Sequence, residues 1–92
     1  RWIRAVDMLL IPVIKTKPHH WEAVGIVDTM NIHAILQELP TGKCRCTINL
    51  IHDGTGYERT NSHTSVDHAL FYMNRLCRRL GFEFQVVKTA TS

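Results

Sequence analysis

The chain lacks any hydrophobic run long enough to cross a bilayer. The longest apolar stretch, Met8 to Ile14, is interrupted by Pro12, whereas a membrane-spanning helix needs about 20 apolar residues. The basic segment that follows, Lys15 to Pro18, does not have the small residues of a secretory cleavage site. We therefore expect no membrane partner.

Cysteine is scarce, since the chain contains only 3: Cys44, Cys46 and Cys77. This odd, low number argues against a disulfide framework, and the sequence has no Asn-x-Ser/Thr glycosylation site. Both absences are typical of a reducing compartment, so we predict a cytoplasmic protein. The thiols are interpreted as small core hydrophobes. A less favoured interpretation has them bind a metal together with one histidine.

No complete catalytic signature occurs in the chain. There is no nucleophile elbow, no phosphate-cradling glycine loop and no paired-carboxylate motif, and the 6 histidines do not have the spacing of a zinc site. A protein that is not an enzyme and needs no cofactor is favoured. A small hydrolase or metal-binding protein remains a third hypothesis, for which His52, Asp53, His63 and His68 are the residues to test, because turns and helix starts often meet at one end of a sheet.

The length and charge indicate one small domain. The 92 residues and ordinary apolar fraction suit a single two-layer core over residues 1–92, with residues 1–7 interpreted as carried over from upstream sequence. The net charge is +3, and residues 21–42 contain no Lys or Arg. Such segregation orients a protein toward anions, although it also fits a mildly basic surface without a ligand.

The clearest predicted element is a long amphipathic helix from about Ser65 to Leu80. Thr64 and Asp67 resemble a capping box, and Gly81 suits the left-handed residue that ends a helix. Between them, apolar residues recur at spacings of three and four, which predicts one buried stripe. The stripe consists of Val66, Ala69, Leu70, Met73, Cys77 and Leu80.

The other segments predict short antiparallel strands. Cys44 to Leu50 alternates apolar and polar residues, as a half-buried strand does, and Asp53-Gly54 is typical of a hairpin turn before a return strand at Tyr57 to Thr60. Further strands are predicted at Glu22 to Val27 and Phe82 to Lys88. Met8 to Thr16 is a strand that Pro12 should confine to an edge.

Residues 29–39 fit both a strand and a helix. The strand is preferred because the turn at Pro40-Thr41-Gly42 would then join two strands of useful length. The predicted fold class is therefore α+β, with a meander of about four or five antiparallel strands packed on one long helix in the C-terminal half, followed by a short final strand.

The outward face of the helix carries aromatic residues interleaved with basic ones, whereas the solvent-facing side of a helix usually carries only charged and polar residues. Aromatics interleaved with arginine are typical of protein interfaces and of surfaces that stack bases and hold phosphates. We predict a small binding or regulatory protein, with nucleic acid preferred as ligand. A protein-interaction module or homodimer, formed through the helix face or an edge strand, is the alternative. The predicted binding residues are His68, Phe71, Tyr72, Arg75, Arg78 and Arg79 on the helix, with Lys43, Arg45 and Arg59 from the hairpin if they face the same side.

Overall fold

A computed structural model describes residues 8–87; the predictions for residues 1–7 and for Lys88 lie outside this range. Six strands and one helix form in the order β1 Leu9–Lys17, β2 His20–Val27, β3 Met30–Glu38, β4 Cys44–His52, β5 Thr55–His63, α1 Val66–Cys77, a 3-10 turn Arg78–Leu80, and β6 Phe82–Val86. Within the described range, none of the helical structure has the length and apolar character that spanning a bilayer would require.

All six strands belong to one sheet in the order β5-β4-β3-β2-β1-β6. The first five form an antiparallel meander. The helix α1 then carries the chain from the β5 edge back across the sheet, so that β6 pairs in parallel with β1. The α+β class is confirmed, but the sheet has six strands rather than four or five, because the last strand joins it.

The helix is shorter than predicted and begins with a different capping residue. Regular α-helix spans 12 residues and gives way to the 3-10 turn at Arg78. The N-cap is Ser65, whose hydroxyl accepts a hydrogen bond from the backbone N–H of His68. Thr64 instead forms a hydrogen bond with the imidazole Nδ1 of His68, at 3.3 Å. Gly81 is left-handed, with φ of 94°, as predicted.

The core lies between α1 and one face of the sheet. Ala69, Met73 and Cys77 project from α1 onto alternate residues of the central strands. Leu80, predicted as part of the buried stripe, is exposed because the 3-10 turn rotates it away from the sheet. The sheet contributes Ile11, Val13, Ala23, Ile32, Ala34, Leu36, Cys44, Cys46, Ile48, Phe82 and Phe84 to the core.

Residues 29–39 are a strand, as preferred from the sequence, since β3 spans Met30–Glu38. The prediction that β1 lies at an edge is wrong, because β1 sits between β2 and β6. Pro12 is tolerated there because β2 and β6 pair with different parts of β1. Pairing with β2 begins at Val13, and pairing with β6 covers the segment Leu9 to Val13. The missing N–H of Pro12 therefore costs no hydrogen bond to β2.

Candidate functional site

Four rings form an aromatic cluster where β5 leads into α1: His63, His68, Phe71 and Tyr72. His63 and Tyr72 are stacked, with centroids 5.6 Å apart and planes at 16°. His68 meets Tyr72 edge-on at 4.7 Å, and Phe71 meets Tyr72 edge-on at 5.5 Å. The spacing of one helical turn places His68 beside Tyr72, while the end of β5 brings His63 against both.

The guanidinium of Arg75 also lies near the Tyr72 ring, 5.8 Å from its centroid, in a cation–π arrangement. Tyr72 is thus in contact with three rings and one cation of its own chain. Phe71, by contrast, contacts only Tyr72 within the cluster, and 56% of it is exposed. Phe71 is therefore more exposed than Tyr72, which is 44% exposed, and its ring is available to a ligand.

A cleft composed of two adjoining depressions lies next to the aromatic cluster. The larger, of about 220 Å³, separates α1 from β4 and β5, and the smaller, of about 190 Å³, lies at the β5–α1 junction. Ser62 and His63 line both, so the two depressions are neighbours. The remaining lining residues are Cys46, Ile48, Arg59, Asn61, Tyr72, Met73 and Leu76 in the larger depression and Lys43, Thr64 and His68 in the smaller.

The electrostatics of the cleft favour an anion. Arg59 lines one depression and Lys43 the other, and none of the described side chains that line either is Asp or Glu. Burial lowers the pKa of His63, and the nearby charges of His68 and Arg59 lower it further. His63 is therefore neutral at neutral pH, and an anion placed beside it would favour its protonated form.

The structure brings together only part of the predicted binding set. His68, Phe71, Tyr72 and Arg75 lie in or beside the aromatic cluster, and Lys43 and Arg59 line the cleft.

The three other predicted arginines lie elsewhere or are engaged. The Nε of Arg78 donates to a carboxylate oxygen of Glu83 at 2.7 Å, and Arg79 is exposed on the 3-10 turn that follows α1. Arg45 is exposed between the buried residues Cys44 and Cys46, so it projects from the face of the sheet opposite α1. The condition that Lys43, Arg45 and Arg59 face the same side is not met.

Sequence reasoning missed Asn61 and Ser62 as cleft residues. The hairpin register pairs Asn61 with Cys46 and Arg59 with Ile48. The side chains of Asn61 and Arg59 therefore lie on the same face of the sheet as the buried Cys46 and Ile48. Because the two-residue turn at Asp53-Gly54 fixes that register, the sequence contained the signal that Arg59 and Asn61 face α1.

The three cysteines are buried free thiols. Burial raises the pKa of Cys46 and of Cys77 to about 12 and also raises the pKa of Cys44. Thiols of this kind are protonated at neutral pH and are poor nucleophiles and metal ligands. In residues 8–87, no three His, Cys, Asp or Glu side chains are grouped closely enough to hold a metal ion.

The four residues considered for a hydrolase form two separate pairs, His52 with Asp53 and His63 with His68. His52 and Asp53 lie at the hairpin turn that precedes β5, whereas His63 is the last residue of this nine-residue strand. At the usual rise of an extended strand, the two ends of β5 are roughly 27 Å apart. The expectation that the turn meets the helix start at one end of the sheet is wrong.

Comparison of the chain with protein-family models, with curated proteins and with solved structures gives no match.

Proposed function

We propose that this protein is a small non-catalytic nucleic-acid-binding module that holds a single-stranded segment in the cleft between β5 and α1. The observation that carries the proposal is the lining of the cleft. It combines Lys43 and Arg59 with two imidazoles, has no carboxylate among its described side chains, and adjoins an exposed aromatic ring.

Phosphates and bases would contact different residues. Arg59 lines one depression and Lys43 the other, and in this proposal each of them neutralises a phosphate of a strand that follows the cleft. Phe71 offers an exposed ring on which an unpaired base can stack. Tyr72 acts indirectly, because its contacts with His63 and Arg75 hold those side chains beside the cleft.

A single strand fits this surface better than a duplex. The helix α1 is packed on the sheet through Ala69, Met73 and Cys77, so it does not project as a recognition helix would into a major groove. Unpaired bases also expose the faces that stacking on Phe71 requires.

Arg59 and Arg45 provide a matched test of this proposal. Both are exposed arginines of the same hairpin, but only Arg59 lines the cleft. We expect Arg59→Ala to weaken binding of a fluorescent 12-nucleotide oligo-dT or oligo-U by about tenfold and to reduce the salt slope by about one. Arg45→Ala should leave both unchanged.

Fluorescence anisotropy between 50 and 200 mM salt, conditions under which phosphate contacts weaken measurably, provides the readout. Comparison of the two oligonucleotides shows whether DNA or RNA is preferred. Equal losses for Arg59→Ala and Arg45→Ala, or no binding by the unmodified protein at the lowest salt, would show that the cleft is not a nucleic-acid site.

A protein-interaction module that pairs through β5 is the second candidate. The edge strand β5 is nine residues long, contains no proline and is exposed over nearly its whole length. The opposite edge is different, since the side chain of Asn74 bonds both backbone groups of Phe84 in β6. An unprotected edge of this kind accepts an added strand.

A further inference from the structure

The face of the sheet that points away from α1, called the open face here, is unusually apolar for a surface. Five large hydrophobic side chains on it are exposed: Leu10, Ile14, Val24, Ile26 and Ile51. Val24 is 70% and Ile26 is 64% exposed. Antiparallel sheets with one solvated face normally present alternating polar residues to water, so this exposure indicates a covered surface.

These side chains form one patch centred on β2. The register places Ile26 beside Asn31 of β3, and Asn31 beside Ile51 of β4. Ile14 of β1 lies next to Glu22 of β2, which in turn lies next to Ile35 of β3. A shallow depression runs through the patch, lined by Val24, Gly25, Ile26, Asn31, Ile32, His33, Asn49 and Ile51.

We propose that a second copy of this chain packs on the open face, sheet against sheet. The five exposed side chains present on the order of 500 Å² of apolar surface, a size at which an exposed patch is often functional. Two such faces with their polar margins would bury roughly 1,200–2,000 Å² in total, the size of a stable specific interface. Face-to-face packing of two sheets is an ordinary protein architecture.

Two carboxylates of the open face are already paired within the chain. In the centre of the patch, Nε2 of His33 lies 3.3 Å from a carboxylate oxygen of Glu22, so the central charge has a partner before the face is covered. At the margin, Glu83 on β6 is also paired, since the Nε of Arg78 lies 2.7 Å from its carboxylate oxygen. Neither of these two carboxylates is therefore left without a partner when a second copy covers the face.

Nucleic acid does not suit this face. Glu22, Glu58 and Glu83 share it by strand register with two cations, Arg45 and Lys17, so carboxylates, which repel phosphate, outnumber the cations. The dimer surface and the cleft therefore lie on opposite sides of the sheet. A substitution that abolishes the dimer leaves the cleft intact, and a substitution in the cleft leaves the dimer intact. The dimer proposal and the nucleic-acid proposal can therefore be contradicted independently.

Val24→Asp tests the proposal, with Leu80→Asp as the matched control. Both replace an exposed aliphatic side chain by a carboxylate, but Leu80 lies on the 3-10 turn away from the open face. In sedimentation equilibrium we expect a dimer for the unmodified chain and for Leu80→Asp, and a monomer for Val24→Asp with an unchanged circular dichroism spectrum.

A milder variant covers the case in which Val24→Asp does not fold. Val24→Thr keeps the branched shape and should raise the dimer dissociation constant roughly tenfold, because one apolar contact is lost. A dimer that neither Val24 variant weakens would overturn the proposal.

Other occupants of the open face give distinct results. A chain that stays monomeric at several hundred micromolar contradicts a second copy. If deletion of residues 1–7 from such a monomer then increases the binding of a hydrophobic dye, the chain covers the face with its own segment. A dimer abolished by Glu58→Pro but not by Val24→Asp pairs through the β5 edge, which also overturns the proposal.

Discussion

At the scale of single residues, the side chain of Asn74 forms the hydrogen bonds to β6 that a neighbouring strand would otherwise form. It is the one polar side chain among the buried residues of the described range. Its amide donates to the carbonyl of Phe84 at 3.0 Å and accepts from the Phe84 N–H at 2.7 Å. A carboxamide has the same donor and acceptor as a peptide group, so Asn74 satisfies two backbone groups that the edge of β6 would otherwise leave unpaired.

Asn74→Ala should destabilise the fold markedly. Removal of the amide leaves the buried N–H and C=O of Phe84 without partners, which costs about 2–3 kcal/mol. Denaturant unfolding measures this change. Gln85→Ala, on the same strand but with an exposed side chain, should stay within about 0.5 kcal/mol of the unmodified chain. Equal effects of the two substitutions would contradict the role of Asn74.

His63 should make stability depend on pH. Its pKa in the folded chain lies below the ordinary value of 6.5, so the unfolded chain binds a proton more readily. The corresponding stability is fully present above about pH 7.5 and is lost as the pH falls through 6.5 toward the folded pKa.

We expect His63→Gln to flatten the decline in the free energy of unfolding between pH 7 and pH 5. His20→Gln, in β2, serves as the control and should keep the decline of the unmodified chain. Parallel curves for the unmodified chain and His63→Gln would show that this histidine is not responsible.

At the scale of elements, the neighbouring hydroxyls of Thr64 and Ser65 have different roles at the start of α1. Ser65 accepts from the backbone N–H of His68, whereas Thr64 bonds only the His68 side chain. Ser65→Ala should therefore lower the free energy of unfolding by about 1 kcal/mol, and Thr64→Ala should lower it by less. Thermal or denaturant unfolding of the two variants decides between them, and the reverse order would restore Thr64 as the cap.

The hairpin of β4 and β5 decides which arginines share a surface. Arg45 alternates with two buried cysteines, and Arg59 is paired with the buried Ile48. Both facts were readable from the sequence, since strand alternation fixes the face and the two-residue turn fixes the register. The prediction grouped Arg45 with Arg59 because of their charge, but the two side chains lie on opposite faces of the sheet.

At the scale of the whole molecule, one helix covers too little of the sheet. The 12 residues of α1 extend about 18 Å, whereas six paired strands span about 24 Å across and their longer members about 30 Å along their length. The helix therefore buries the central residues of one face, and no element within residues 8–87 covers the open face.

The three thiols report on the cooperativity of the whole fold. Cys44, Cys46 and Cys77 are buried in one core between β4 and α1, and the pKa of Cys46 and of Cys77 is raised to about 12. We expect all three to resist a thiol reagent at pH 8 and to react together when denaturant unfolds the chain. Rapid reaction of any one thiol in the native protein would show that the core opens locally.

The sequence by itself determined the local elements. Apolar spacing placed the helix, alternation placed the strand Cys44 to Leu50, and glycine at positions 42, 54 and 81 marked turns, where the structure has positive φ. These features depend on interactions between residues close in the chain, so a pattern within one segment was enough to predict them.

Only the tertiary structure decided where the last strand lies and which surfaces remain uncovered. The position of β6 beside β1 makes β1 an interior strand despite Pro12, and the cleft exists because α1 crosses from β5 toward β6. These outcomes depend on contacts between segments about 70 residues apart, such as Leu9 with Phe82. No local periodicity encodes such contacts, because they form only when separate elements bury their apolar faces against one another.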